Sequence, residues 1–429
     1  MKIFNKILIL LRSVIGTNTF RQSSITFVGT VFNGALGALF YILVARFLGP
    51  SSFGILIVAI TTLTLVSDIG DLGTDTGLVR FVGRNLKKDE KKAWRFLKLG
   101  FEIKIIVGIA ISILGFIFAP FIANSLLAKP ELATSLRISF SGVIGIFLYS
   151  FVIRVLQAYQ KFWHWSGIQI ATNFVRLAIV IILYFLAKAN FLNILLVYII
   201  VPFIGFFAGL FLIPTNFLKV DNEKSVAKDF FHYNKWVASF IFIAAFSSRL
   251  DVYISTRLLP LAQVGIYSVA NQLIAIVTQI SSAISTVIAP KMAAMGSKKD
   301  LIRYLKKNLL LVLGLSFLGI LVMPIVLYLI PLIFGKSYID SGPVFVILFF
   351  SSLVYLISVP IHMSVFYYFS YPKLFLYISI GHLAIIGGLG YLLISNYGII
   401  GSAFTVLAGS VFNFLVPAVW VISKIKKEK

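Results

Sequence analysis

Long apolar stretches alternate with short charged ones along the whole chain. There are about a dozen apolar blocks of roughly 20 residues, the length at which an α-helix crosses a hydrocarbon core of about 30 Å. A transmembrane β-strand would instead show strict alternation over about 10 residues, and no such alternation occurs here. The pattern therefore predicts an all-α integral membrane protein.

Charged residues and turn residues set the limits of twelve predicted helices. The helices are predicted at residues 23–46, 53–79, 99–119, 134–158, 166–187, 191–213, 234–257, 263–290, 308–330, 343–369, 373–394 and 398–423. They form an N-terminal six-helix bundle (21–213) and a C-terminal six-helix bundle (233–423), joined by a charged linker (214–232). An amphipathic segment with helical spacing of its apolar residues (1–20) precedes them, and a basic tail (424–429) follows.

The two bundles are related by an internal repeat. A shift of 211 residues places the segment 46–55 on 257–266 without a gap, and Pro120 on Pro331. Six helices return the chain to the side where it began, so both copies have the same orientation in the membrane. Parallel repeats of this kind occur in transporters, and they predict two bundles with a central cleft.

The positive charge of the chain follows membrane topology. The formal net charge is +24, and 59% of residues are hydrophobic against 12% charged. Of the 38 Lys and Arg, 28 fall in the termini and alternate loops on one side, and 6 fall on the other side. The positive-inside rule then places both termini in the cytoplasm. Membrane lipids, and not nucleic acid, are the expected partners of this charge.

Sequence motifs of common enzymes are missing. The chain has no Gly-rich phosphate loop, no His-Glu-x-x-His and no nucleophile elbow. It has no cysteine, and its four histidines lack metal-ligand spacing. The sequence predicts a protein that is not an enzyme and that has no cofactor and no metal site.

The turn at residues 45–54, Ala-Arg-Phe-Leu-Gly-Pro-Ser-Ser-Phe-Gly, resembles the first outer turn of the polysaccharide transporter family. Asp71-Leu72-Gly73 is similar to the acidic-Leu-Gly element of that family, and Asp251 followed by Gly265-Ile266-Tyr267 is similar to its second-half signature. These proteins are flippases for lipid-linked oligosaccharides in the multidrug/oligosaccharidyl-lipid/polysaccharide (MOP) exporter superfamily. The resemblance extends over the whole chain.

Four residues of the two outer turns are expected to be structural: Arg46, Gly49, Gly54 and Gly265. The second turn departs from the first, since Pro260 occupies the position of Gly49.

The resemblance implies a flippase that works by alternating access. It would move a glycan linked to an undecaprenyl- or dolichyl-type (pyro)phosphate from the cytoplasmic to the outer leaflet, for cell-surface polysaccharide or glycan assembly. The setting would be a prokaryotic plasma membrane. The protein would work as a monomer, with a glycan polymerase or glycosyltransferase as further partners and with proton or sodium coupling as an option.

Two basic residues at equivalent depth are the leading candidates for binding the anionic headgroup. Arg176 lies ten positions into the fifth predicted helix, and His382 lies ten positions into the eleventh. A mid-membrane Arg costs at least about 2.5 kcal/mol, so it should face a wet cavity or an anion. The alternatives are a structural ion pair for Arg176 and a neutral packing role for His382.

Arg249 and Arg154 are further candidates for binding the substrate. Arg249 and Asp251 share the seventh predicted helix but point about 200° apart, so one is expected to face the cleft and the other a partner helix. Arg154 could meet the diphosphate at the cytoplasmic end of the fourth helix, or it could snorkel to the interface.

Three carboxylates are candidates for ion coupling: Asp68, Asp251 and Glu102. Asp68, Asp71 and Asp75 are predicted to lie within about 60° of one another on one face of the second helix. Alternatively, Asp71 and Asp75 lie in the headgroup region and pair with Arg80, Arg84 or loop lysines.

Three other functions are open to a protein of this sequence. A multidrug exporter of the same superfamily would favour an acidic cleft, which Arg176 opposes. A membrane glycosyltransferase, polymerase or ligase would need more than the short outer loops of this chain. A membrane scaffold would give the charges inside the membrane no evident purpose.

Overall fold

The computed structural model describes residues 18–427, and these residues are helical almost throughout. Residues 1–17 of the predicted amphipathic segment lie outside the described residues, as do the last two residues of the basic tail.

Ten helical stretches of the described part are long and apolar enough to cross a membrane, and glycines divide two of them. Gly49 has a φ of 70° and Gly398 a φ of 59°, so each one separates two helices. Division at these points gives twelve membrane helices, which confirms the predicted fold class. They are α1 (18–48), α2 (50–70), α3 (Glu90–Phe121), α4 (Pro130–Ala158), α5 (Phe162–Phe185), α6 (Phe191–Leu210), α7 (Lys224–Leu258), α8 (Leu261–Ala293), α9 (Lys298–Ile333), α10 (Ser341–Met363), α11 (373–397) and α12 (399–427).

Several helices begin well before the predicted position. Helix α3 starts at Glu90, α7 at Lys224 and α9 at Lys298, each about ten residues before the apolar stretch. Hydropathy marks only the part of a helix that lies in hydrocarbon, whereas these helices continue outwards on charged residues. The predicted linker is therefore shorter, and it contains a single 3₁₀ turn, Asn216–Lys219.

Helix α2 breaks where a continuous helix was predicted. Leu72 and Gly73 have φ values of 50° and 74°, and a second helix, Thr74–Asn85, follows them. Gly73 is the N-cap of the new helix, and the Asp71 carboxylate accepts a hydrogen bond of 3.0 Å from the Asp75 amide in its first turn. The prediction that Asp68 shares one helix face with Asp71 and Asp75 is wrong, because the break reorients the helix that carries Asp75.

The described residues form two compact units that interleave along the chain. The first contains the residues up to Val44, Thr62–Ala119 and Thr134–Ile241; the second contains Ala45–Thr61, Pro120–Ala133 and the residues from Phe242. Each unit has its own buried core. The core of the first includes the fully buried aromatic rings of Phe96, Phe151 and Phe230, and that of the second includes Met292, Leu301 and Val365.

Two arginines that the internal repeat relates make equivalent contacts in the second unit. Arg46 donates to the carbonyls of Leu332 and Ile333 at 3.1 and 3.3 Å, at the end of α9. Arg257 donates to the carbonyls of Ser125, at 2.8 Å, and Leu126 in the π-helical turn Ile122–Leu126 that follows α3. The last carbonyls of a helix lack internal partners and carry partial negative charge, so both arginines act as helix caps.

The two outer turns touch at glycines. A Cβ on Gly54 would lie 1.9 Å from the carbonyl oxygen of Leu261, and a Cβ on Gly265 would lie 2.1 Å from that of Pro50. Both obstacles are backbone atoms, which cannot rotate away. Glycine is therefore required at both positions by the close approach of the two backbones.

The variant Gly54→Ala is expected to destabilise the second unit by about 1–3 kcal/mol, the usual cost of overpacking a tight contact. Thermal unfolding of the purified protein in detergent measures the change. Gly37→Ala is the matched control, because nothing lies within 4 Å of a Cβ at Gly37. An equal melting temperature for the two variants would contradict the contact.

Candidate functional site

Arg176 lies deep within α5 of the first unit. Fourteen residues separate it from the start of Phe162–Phe185 and nine from the end, about 21 Å and 14 Å at about 1.5 Å per residue. The side chain is half-buried. Its depth is too great for easy snorkelling, as the sequence indicated.

The guanidinium of Arg176 is held by aromatic rings and an amide. Its Cζ lies 4.3 Å from the ring centroid of Tyr198 on α6 and 5.8 Å from that of Phe40 on α1. One terminal nitrogen donates to the Asn173 side-chain oxygen at 2.9 Å, and Asn173 in turn donates to Asn33 on α1. These contacts orient the cation, but none of the contacting groups carries a negative charge, so the positive charge is not neutralised.

No carboxylate lies within 4.0 Å of Arg176 among residues 18–427. In addition, its Nε is buried and makes no hydrogen bond in this described part. A buried donor without an acceptor costs about 1–3 kcal/mol. Arg176 is therefore not in the structural ion pair that was its alternative, and it retains donor capacity for an anion.

The other basic candidates have different surroundings. His382 packs against α12 in the second unit, where a Cβ on Gly409 would lie 2.7 Å from its Nε2. Arg154 donates to Asp75 at 3.0 Å and to Gln157 at 3.0 Å, so much of its capacity is used inside the first unit. Arg249 lies at a helix break between Lys224–Ser247 and Leu250–Leu258, with a non-helical φ of −129°. The predicted 200° separation from Asp251 fails, because it assumed an unbroken helix.

The three predicted ion-coupling carboxylates lie in separate environments. The Asp68 side chain is exposed. The Glu102 carboxylate accepts a hydrogen bond of 3.1 Å from the side chain of Asn222, next to the linker. Asp251 is 6% exposed and accepts a hydrogen bond from the fully buried Tyr267 hydroxyl within the second unit.

A buried charge cluster joins three helices of the first unit, and the sequence reasoning missed its central residue, Lys104. The Lys104 ammonium lies 2.6 Å from Asp71, 2.8 Å from Asp75 and 2.8 Å from the Ser150 hydroxyl. Arg154 completes the cluster through Asp75. Asp71 and Asp75 thus pair with Lys104 and not with the loop arginines, because Lys104 on α3 reaches them inside the bundle.

One signal could have found Lys104. It is one of the four Lys or Arg residues left over when 28 are assigned to one side of the membrane and 6 to the other. A charge at that depth needs a partner from another helix, and the acids of the preceding helix were available. All three donors of the ammonium are now satisfied, so the cluster is structural in character and differs from the site of Arg176.

Comparison with known proteins identifies the family. The model of the family described as polysaccharide biosynthesis protein matches residues 43–343. A comparison with curated protein sequences finds no match.

Solved structures of several transporters share the fold. One is described as lipid II flippase MurJ in the inward closed conformation: TM-score 0.72, 17% identity, covering 94% of this chain and 89% of that one. Another is an inward-facing multidrug resistance MATE transporter of the MOP superfamily: TM-score 0.69, 16% identity, 96% and 99% coverage. A third is a MOP superfamily transporter from Pyrococcus furiosus, for which a reversed polarity of the binding pocket is described: TM-score 0.62, 13% identity, 95% coverage of both chains.

These identities are low, so they establish the fold alone. The family match covers well over half of the chain, and it agrees with the resemblance of the outer turn and the acidic-Leu-Gly element. The chain is therefore a multi-pass membrane protein with the MOP transporter fold, and it belongs to the polysaccharide biosynthesis protein family.

Proposed function

We propose that this protein is a flippase for a polyprenyl-(pyro)phosphate-linked oligosaccharide, which it moves from the cytoplasmic to the outer leaflet by alternating access. It would serve cell-surface polysaccharide or glycan assembly in a prokaryotic plasma membrane, with both termini in the cytoplasm. The family description and the fold support a role in transport for polysaccharide synthesis.

The state of Arg176 is the single observation that carries the proposal. An always-charged group lies deep in the membrane, oriented by Tyr198 and Asn173, with a buried Nε that lacks an acceptor. Guanidinium forms strong, charge-assisted hydrogen bonds with phosphate oxygens. A (pyro)phosphate that reaches α5 would supply both the missing acceptor and the missing negative charge.

The polar and aromatic side chains beside Arg176 suit the glycan part of such a substrate. Asn33 and Asn173 present amide groups next to the guanidinium, and Tyr198 presents an aromatic face. Amides hydrogen-bond sugar hydroxyls with either donor or acceptor. His382 and Arg249 in the second unit and Arg154 near Asp75 stay predicted substrate contacts, and Asp68, Asp251 and Glu102 stay predicted sites of proton or sodium coupling.

Reconstituted transport is the decisive test. Proteoliposomes that contain the purified protein and a fluorescent lipid-linked oligosaccharide are treated with a membrane-impermeant quencher, and the rate of leaflet exchange is measured. A fluorescent organic cation is tested in parallel. We expect exchange of the oligosaccharide lipid above the rate of protein-free vesicles, and no uptake of the cation.

The opposite result, cation transport without lipid exchange, would replace the proposal with a multidrug exporter. A new glycosidic product formed by the purified protein would identify a glycosyltransferase or polymerase.

Because the chain has no cysteine, Arg176→Cys introduces a single thiol. Labelling of that thiol by a membrane-impermeant reagent reports directly whether water reaches position 176.

A further inference from the structure

A second group of basic side chains lies where the first unit turns from the helix Thr74–Asn85 into the charged first turns of α3, before the apolar part of that helix. A cavity of about 250 Å³ opens there. Three cations line it, Arg84, Lys88 and Lys92, together with the Asp229 carboxylate from the start of α7. Residues distant in sequence therefore meet in one concave, positively charged site.

The apolar part of the pocket lining consists of two stacked aromatic rings. The rings of Phe81 and Phe96 stack with centroids 4.6 Å apart and an interplanar angle of 16°, and Phe96 is fully buried in the core of the unit. Asn85, also in the wall, donates to the Phe81 carbonyl at 2.8 Å. Two packed aromatic rings thus line one side of the cavity, and Lys88 comes from the exposed turn between the two helices.

The three cations of the pocket differ from the basic residues that follow on α3. Arg95 pairs with Glu223, and Lys98 donates to the Val220 carbonyl at 2.7 Å, so both bind the linker. Among residues 18–427, Arg84, Lys88 and Lys92 have no carboxylate within 4.0 Å of their charged groups. Membrane topology needs positive charge on this side, but it does not need unpaired cations to converge on one cavity.

We propose that this pocket binds a phosphate-bearing group of headgroup size, with Arg84, Lys88 and Lys92 as donors. Three cations and one carboxylate give the walls a formal charge of +2, which suits a doubly charged phosphate monoester or a diphosphate. The Asp229 carboxylate is an acceptor suited to a hydroxyl of the same headgroup. The volume is below the roughly 300–1,000 Å³ of sites for drug-sized ligands, so a nucleotide-sized molecule is too large.

Two sources share this chemistry: the headgroup of an anionic lipid, and free phosphate or pyrophosphate. Either one would make the pocket a site separate from Arg176, which lies deep in the apolar part of α5. The pocket is defined by its own residues, so its ligand is independent of the substrate proposed for Arg176.

A charge-matched pair of variants tests the pocket in the full-length protein. Lys88→Gln/Lys92→Gln removes two lining cations, and Lys87→Gln/Lys91→Gln removes two exposed neighbours that do not line the cavity. Both variants remove the same charge from the same segment, so topology and diffuse attraction change equally. Arg84→Gln serves as a second test if the double lining variant does not fold.

Binding is measured in two arms. In the first, inorganic phosphate and pyrophosphate are titrated against thermal unfolding in detergent. In the second, native mass spectrometry counts phosphatidic acid against phosphatidylcholine retained from nanodiscs of mixed composition. We expect wild type and the 87/91 variant to bind alike, and the 88/92 variant to bind about 10- to 100-fold more weakly.

Binding in the first arm identifies a soluble phosphate, and selective retention in the second alone identifies a lipid headgroup. An equal loss in both double variants would overturn the proposal, because the attraction would then belong to the loop charge as a whole. Absence of binding by wild type in both arms would also overturn it.

Discussion

Replacement of Lys104 with methionine is expected to lower the free energy of unfolding by about 3–5 kcal/mol, the cost of breaking a buried ion pair. Lys104 is 1% exposed, and its ammonium contacts Asp71, Asp75 and Ser150. Methionine fills a similar volume, but it leaves two carboxylates without their shared cation. The side chains of those carboxylates are only 11% and 20% exposed, so water cannot fully replace the ammonium.

This change is measured by unfolding the reconstituted or detergent-solubilised protein with a denaturing detergent. The loss of helix is monitored by circular dichroism. The double variant Lys104→Met/Asp71→Asn should recover part of the loss, since Asp75 keeps Arg154 at 3.0 Å. Lys98→Met on the same helix is the control. It removes one hydrogen bond to a carbonyl, which contributes about 1.5–3 kcal/mol at most. A Lys104→Met protein as stable as wild type would show that the cluster does not hold the helix Thr74–Asn85, α3 and α4 together.

Hydropathy predicted the twelve helices because hydrocarbon imposes both their length and their composition. The internal repeat aligned Arg46 with Arg257. In the structure both guanidinium groups donate hydrogen bonds to backbone carbonyls at helix ends. These features depend on local sequence or on exact repetition. Each could therefore be inferred from the chain alone.

Contacts between helices were harder to predict. Lys104 and Asp71 are 33 positions apart, and no periodicity shows which helix faces meet. The break at Leu72 and Gly73 also escaped prediction, because a single glycine is compatible with a continuous helix and Leu72 rarely adopts a positive φ. The second copy has no equivalent break, since α8 continues from Leu261 to Ala293. The two copies therefore differ at this point, although the sequence analysis predicts a continuous helix for both.

The depth of Arg176 was predictable from helix length, and its neighbours were not. A buried Arg can face an acid, a carbonyl or an aromatic ring, and all three choices are compatible with one sequence. The structure places Tyr198, Phe40 and Asn173 around it. This choice matters, because aromatic rings and an amide orient a guanidinium without neutralising it.

Arg176→Gln is expected to slow the transport of a lipid-linked oligosaccharide by about 10- to 100-fold, and Arg176→Glu is expected to abolish it. A charge-assisted hydrogen bond contributes about 1.5–3 kcal/mol, and each 1.4 kcal/mol changes binding about tenfold. Glutamine keeps one donor group but loses the charge, whereas glutamate would also repel a phosphate. Arg176→Lys should lie between wild type and Arg176→Gln, because it keeps the charge and loses the planar fork of donors.

Initial rates of leaflet exchange in proteoliposomes measure this series. Arg137→Gln is the matched control, since Arg137 also lies over an aromatic ring, 5.5 Å from the centroid of Phe116, but is exposed. We expect the control to transport at the wild-type rate and all variants to unfold at similar temperatures. If Arg176→Glu transports the oligosaccharide lipid normally, the guanidinium does not meet the phosphate. If the same variant gains transport of an organic cation, position 176 does line the substrate path, and the sign of its charge selects the substrate.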